Sequence, residues 1–171
     1  RAAAAEDGAS EQLKALKSEY LESLLRRAET LEDKADTEPA DSADRKKLLH
    51  DAIRLYGDMY SKYPKRLKGI QARLNEARVW VKLGDFDKAL EYVDEDVINQ
   101  VDTNPAQVPQ ERKLVTKGFL LAMDCWLHES RQEYAQAIGR ATPWLNQIHP
   151  AEENDADWVR LTLQVAKANR A

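Results

Sequence analysis

The sequence predicts an all-α protein, an antiparallel array of about seven helices. Apolar residues recur at steps of three and four along most of its 171 residues, the spacing that lines up one face of a helix. The stretch Trp80-Val-Lys-Leu83-Gly84-Asp85-Phe86 ends one such run and opens another: Gly84 suits the left-handed residue that closes a helix, and Asp85 suits the cap of the next. Hydrophobic residues make up 43% and charged residues 33%, with only six glycines and six prolines, a profile that suits a helix-rich globular chain and not a collagen-like, disulfide-rich or wholly disordered one.

Residues 1–9, small and acidic, read as a disordered arm, and residues 10–171 as one helical domain. From Ser10, a candidate N-cap, Leu13, Leu16, Tyr20, Leu24, Ala28, Leu31 and Ala35 mark a first helix over about 10–36. Pro39 stops it, and Asp41 or Ser42 caps a second helix over about 43–63, with Leu48, Leu49, Ala52, Tyr56, Met59, Tyr60 and Tyr63 on one face and Pro64 at its end. The third helix, about 66–83, has Leu67, Ile70, Leu74, Ala77 and Val81 as its inner stripe. In the fourth, about 86–100, Phe86, Ala89, Leu90, Val93 and Val97 share a face. Pro105 and Pro109 then predict a stiff, extended loop. The fifth helix, about 110–130, buries Leu114, Leu121, Ala122 and Cys125, and Gly118 allows close approach. The sixth opens at Tyr134 and is kinked or shortened by Pro143, although Gly139 four residues earlier relieves part of the clash. Asn154 or Asp155 caps the last helix, which carries Trp158, Leu161 and Val165.

Tyr134-Ala-Gln-Ala137-Ile138 repeats the pattern of Phe86-Asp-Lys-Ala89-Leu90, and Ala52, Tyr56 and Pro64 stand at matching offsets. These segments resemble the second helix of tetratricopeptide (TPR) repeats, and Trp158-Val-Arg-Leu161 resembles the opening of the first. The resemblance covers about residues 48–168. It implies a right-handed α-solenoid that binds a protein or peptide in a groove lined by the first helix of each repeat. The equivalent alanines are 37 residues apart (Ala52 to Ala89) and then 48 (Ala89 to Ala137), against about 34 in the regular repeat, so the array is a divergent one. Aligned on Ala89 and Ala137, the groove takes Gln71, Leu74, Arg78 and Lys82 from the third helix, and Phe119, Ala122 and Trp126 from the fifth. Asn75 and Arg78 alone do not reproduce the set that grips a peptide carboxylate in some TPR adaptors. The partner-binding candidates are therefore Gln71, Asn75, Arg78, Lys82, Phe119 and Trp126, with plain helix packing as the competing role for the two aromatics.

A net charge of −4 points away from general nucleic-acid binding, and no apolar run is long enough to span a bilayer. Cys125 and His128 lie one turn apart, but a closed zinc site needs two more ligands at suitable spacing; the simpler reading buries Cys125 as a small apolar residue. No phosphate loop, nucleophile elbow or H-E-x-x-H motif occurs. The expectation is a protein that is not an enzyme, with no catalytic residues, no metal and no cofactor. Between Lys62 and Lys82 stand seven basic residues and one acid; between Gly84 and Asp102, seven acids and one base. Adjacent helices that offset each other's charge account for this asymmetry, and the functional alternative is a basic stripe that steers an acidic partner segment.

The small residues of Arg1-Ala-Ala-Ala-Ala5 suit either the remnant of an export signal or a chosen start, and the resemblance to repeats of bacterial envelope proteins leans toward an exported or periplasmic compartment. The last helix reads as a first repeat helix with no second one after it. On that reading the chain is the N-terminal part of a longer protein, and its C-terminal helix pairs with another copy or with further repeats; the alternative is that this helix is itself a cap. The competing function is a structural domain of a larger extracytoplasmic protein, followed by a ligand-binding helical domain with an interior pocket.

Overall fold

Periodic apolar sequence becomes helix throughout. The computed structural model describes residues 2–101 and 109–171, and among these are seven α-helices and no strand. They are α1 (Ala2–Asp36), α2 (Ala43–Lys62), α3 (Leu67–Lys82), α4 (Phe86–Val93), α5 (Pro109–Trp126), α6 (Tyr134–Leu145) and α7 (Ala156–Ala168). A π-helical turn, Asp94–Ile98, continues α4, and a 3₁₀ turn, Pro150–Glu152, precedes α7. Most of the proline-bounded loop expected after Val101 lies outside the described residues. The chain divides into two compact units, residues 1–72 and 73–171, with the division inside α3.

Unit 1 is built on the hairpin of α1 and α2. Pro39 ends the first helix as expected, and Ser42 caps the second by accepting a hydrogen bond from the Arg45 amide at 3.0 Å. The packed face of α1 is Leu25, Ala28, Glu32 and Ala35, set against Leu49, Ala52, Tyr56 and Met59 of α2. The Tyr56 hydroxyl donates to Glu32 Oε2 at 3.2 Å, which pairs a carboxylate that is only 4% exposed. The first half of the expected α1 stripe is not packed: Leu13, Leu16 and Tyr20 are 53%, 63% and 53% exposed. Two things explain this: 35 residues of α1 make about 52 Å of helix while the 20 of α2 cover about 30 Å, and this stripe lies to one side of the packed line, where even Leu24 and Leu31 are only half-buried. The helix starts at Ala2, eight residues ahead of Ser10, through an alanine run of the highest helix propensity.

In unit 2 the turn between α3 and α4 forms as the sequence predicts. Gly84 has φ +83°, its amide donates to the Val81 carbonyl at 2.9 Å, and the Asp85 amide donates to the Trp80 carbonyl at 3.0 Å. This is the paired closure that needs a left-handed residue just past the helix. Asp85 Oδ1 then accepts from the Lys88 amide at 3.1 Å. Ala89, Val93 and Val97 are buried, but the α-helix stops at Val93 and gives way to the wider turn, closed by the Asn99 amide on the Asp94 carbonyl. Gly118 of α5 faces this turn: a Cβ there would lie 3.2 Å from Val97 and 3.5 Å from Ile98.

Packed around α5 in this unit are α4, α6 and α7. Cys125, Leu114 and Ala122 are buried as expected, while Leu121 is only half-buried. Instead of continuing to residue 130, α5 ends at Trp126; the following segment turns back through Gln132, whose φ is +53°. Pro143 lies within α6, which still runs to Leu145. Asp155 caps α7 by accepting from the amides of Asp157 and Trp158. Trp158, Leu161, Val165 and Ala168 are buried, and Val159 and Leu163 are exposed on the other side of α7.

Candidate interaction surface

Gln71, Asn75, Arg78 and Lys82 recur at helical spacing and so share one face of α3. Gln71 is half-buried and belongs to unit 1; the other three belong to unit 2. Asn75 is 5% exposed, Lys82 is half-buried and Arg78 is open to solvent. The accessible part of the face is thus two cations one turn apart.

Pairing across to α4 occupies other residues of the same helix. Arg73 Nη1 lies 2.8 Å from Glu76 Oε2, Arg73 Nε lies 2.8 Å from Asp96 Oδ2, and the guanidinium stacks 4.0 Å above the Tyr92 ring. The Lys88 ammonium sits 3.9 Å above the Trp80 ring, a second cation–π contact between these helices. Burial pushes the Glu76 carboxyl above its ordinary range, against the pull of the Arg73 charge and hydrogen bond. The acidic run after Gly84 therefore pairs with the basic run only in part. Asp96 goes to Arg73, but Asp87 and Asp94 are taken by Arg131 and Arg140, from the α5–α6 connection and α6.

Phe119 and Trp126 are core side chains, 5% and 0% exposed, and neither lines an open groove. Phe119 stacks on Trp144 with ring centres 5.9 Å apart, and Trp144 meets Trp158 at 5.7 Å. Over Trp144, at 4.5 Å, sits the guanidinium of Arg112. That guanidinium holds Glu152 in a fork, Nε to Oε1 and Nη2 to Oε2 at 2.7 Å each, and Nη2 also donates to the Gln147 carbonyl at 2.8 Å. Thr116 Oγ1 accepts from Trp144 Nε1 at 3.1 Å. Glu152 accepts in addition from the His149 amide, while His149 Nδ1 accepts from the Ala151 amide, a capping box on the 3₁₀ turn. This cluster ties the α6–α7 connection to α5. The sequence hints at it only in the order His149-Pro-Ala-Glu152, which has the capping spacing; nothing marks Arg112 or Thr116 as its partners.

Burial, with the neighbouring Asp124 charge, pushes the Cys125 thiol up to about 12, which keeps it protonated and inert at neutral pH. His128 lies with its ring 4.3 Å from that of Phe86 and its Nδ1 2.9 Å from Ser130 Oγ. Among the described residues no three His, Cys, Asp or Glu side chains are placed to hold a metal, and no helix is long and apolar enough to cross a membrane. One surface groove of about 160 Å³ lies in unit 1 between Tyr20 and Leu24 of α1 and Leu55, Asp58, Met59 and Lys62 of α2. Comparisons with protein-family models, curated proteins and solved structures find no match for this chain.

Proposed function

We propose that the chain is a non-enzymatic protein-interaction scaffold, a divergent TPR-like array that binds an acidic segment of a partner protein along α3. The single observation behind this reading is the α3 face: Arg78 is exposed, and Lys82 follows one turn later on the same side. Two cations held at fixed spacing on a helix attract carboxylates, speed encounter and select against basic partners. The turn at Gly84-Asp85 and the buried Ala89 support the repeat-type hairpin that presents this face.

Charge reversal tests the reading. Arg78→Glu and Lys82→Glu, made singly and together in the full chain, should abolish capture of the acidic partner and leave helical content unchanged. Wild-type capture should weaken as salt rises, because surface charges are screened within about 8 Å at physiological ionic strength. Equal capture by wild type and the double variant would dismiss it. The burial of Phe119 and Trp126 favours the second reading, a structural helical domain of a larger extracytoplasmic protein, and that reading expects no partner at α3.

A further inference from the structure

The connection between α6 and α7 has no apolar anchor of its own. From Asn146 to Asp155 no residue is buried, and its one large apolar side chain, Ile148, is 43% exposed. Its ties to α5 are polar: the Arg112 fork on Glu152, the Arg112 hydrogen bond to the Gln147 carbonyl, and Lys113 Nζ donating to Asp155 Oδ2 at 3.0 Å. Segments with few buried apolar contacts open at the low end of a protein's range of local stabilities. We infer that this connection is an acid-released latch: it lifts off α5 when its carboxylates take up protons, while the helices on either side stay folded.

Hydrogen-bond chemistry at Glu152 drives the release. Ionised, the carboxylate offers two acceptor oxygens to two Arg112 donors. Protonated, it turns an O–H toward one of them, and a charge-assisted bond becomes a donor facing a donor. Burial pushes the Glu152 carboxyl up, but Arg112 and the His149 amide outweigh it and hold the group below its ordinary 4.5. The hydrogen bond from Lys113 holds Asp155 below its ordinary 3.8. Stability from groups shifted this way is present above the unfolded values and lost as pH falls through the folded ones, so the latch is closed at neutral pH and opens below about 4.5. Two further titratable groups stand nearby: His149 on the same turn, and Asp157 of α7 beside the Lys113 ammonium. A protonated His149 gives up its bond from the Ala151 amide but adds positive charge beside Glu152, which leaves Glu152 as the deciding group. The hold on α7 is of another kind, the uncharged burial of Trp158, Leu161, Val165 and Ala168. Opening uncovers Arg112 and Trp144, which are 2% and 5% exposed in the closed form. None of the α3 residues assigned above takes part, so the fate of the latch is independent of that assignment.

Backbone ¹⁵N relaxation of the full 171-residue chain, followed from pH 7 to about pH 3, tests the latch. Amides of residues 147–153 should fall from order parameters of about 0.85 to below about 0.6, with the loss centred below pH 4.5. Those of α5, and of α7 beyond its first turn, should stay near the rigid value over the same range. Glu152→Ala should show the mobile connection already at pH 7 with unchanged helical content, because Glu152 lies on a turn with no buried residue. A connection that stays rigid at about pH 3, one that loses order in a single step with α5 and α7, or a rigid connection in Glu152→Ala at pH 7 would each overturn the inference.

Discussion

The Arg112–Glu152 pair makes folding stability sensitive to acid. Burial raises the Glu152 carboxyl, but the Arg112 hydrogen bonds, the His149 amide and the Arg112 charge outweigh it and leave the group below its ordinary 4.5. Asp155 is held low in the same way, first by its hydrogen bond from Lys113. A depressed folded-state pKa contributes stability that is present above the unfolded value and lost as pH falls through the folded one. Melting temperature should therefore drop as pH is lowered below about 4.5, and Glu152→Gln should be less stable at pH 7 and flatter in that acid window. Parallel pH profiles for the two proteins would contradict this role. Glu76, raised by burial, acts with the opposite sign and partly offsets the trend, its stabilising share being lost as pH rises through its folded value. Trp126 gives a second prediction at this scale. As a fully buried side chain it should cost about 3–5 kcal/mol when replaced by alanine, seen as a shifted denaturant midpoint. A binding loss with an unchanged midpoint would instead return it to an interaction surface.

At the scale of elements, the α3–α4 hairpin was the most legible part of the chain because its signals are local. A glycine with positive φ, an aspartate cap and a small residue at the helix contact each act within a few residues. Gly84→Ala has open space around the new Cβ, so its cost is backbone strain alone, about 1–2 kcal/mol. Ala89→Leu should cost about 1–3 kcal/mol by overpacking. Thermal melts measure both, and an unchanged melt for either would undo the assignment of that position. The legibility fails where position depends on distant partners. The periodicity of α1 is real from Leu13 onward, yet α2 packs on the line of Leu25, Ala28, Glu32 and Ala35, beside the stripe of Leu13, Leu16 and Tyr20, and which line it takes and how far it reaches no residue of α1 encodes. Likewise the π-helical turn after Val93 faces Gly118, a residue from another helix, and the spacing of α4 alone predicts an unbroken helix.

For the whole molecule, composition and periodicity carried the all-α class and the order of seven helices, since both are sums over many residues. The candidate site was legible only in part. Periodicity puts Arg78 and Lys82 on one α3 face, but the groove positions of Phe119 and Trp126 come from the repeat resemblance alone, and the packing role that competes for large aromatics is the one they take. The proposed partner surface is thereby reduced to Arg78 and Lys82. The most direct measurement is site-specific photo-crosslinking in the source cell, with the reactive side chain placed at position 78 and, as a control, at the exposed Gln136 of α6. The account predicts a discrete adduct from position 78, mapping to an Asp- and Glu-rich segment of one partner, diminished by Lys82→Glu and absent from position 136. No adduct at position 78, or the same adducts from both positions, would contradict it.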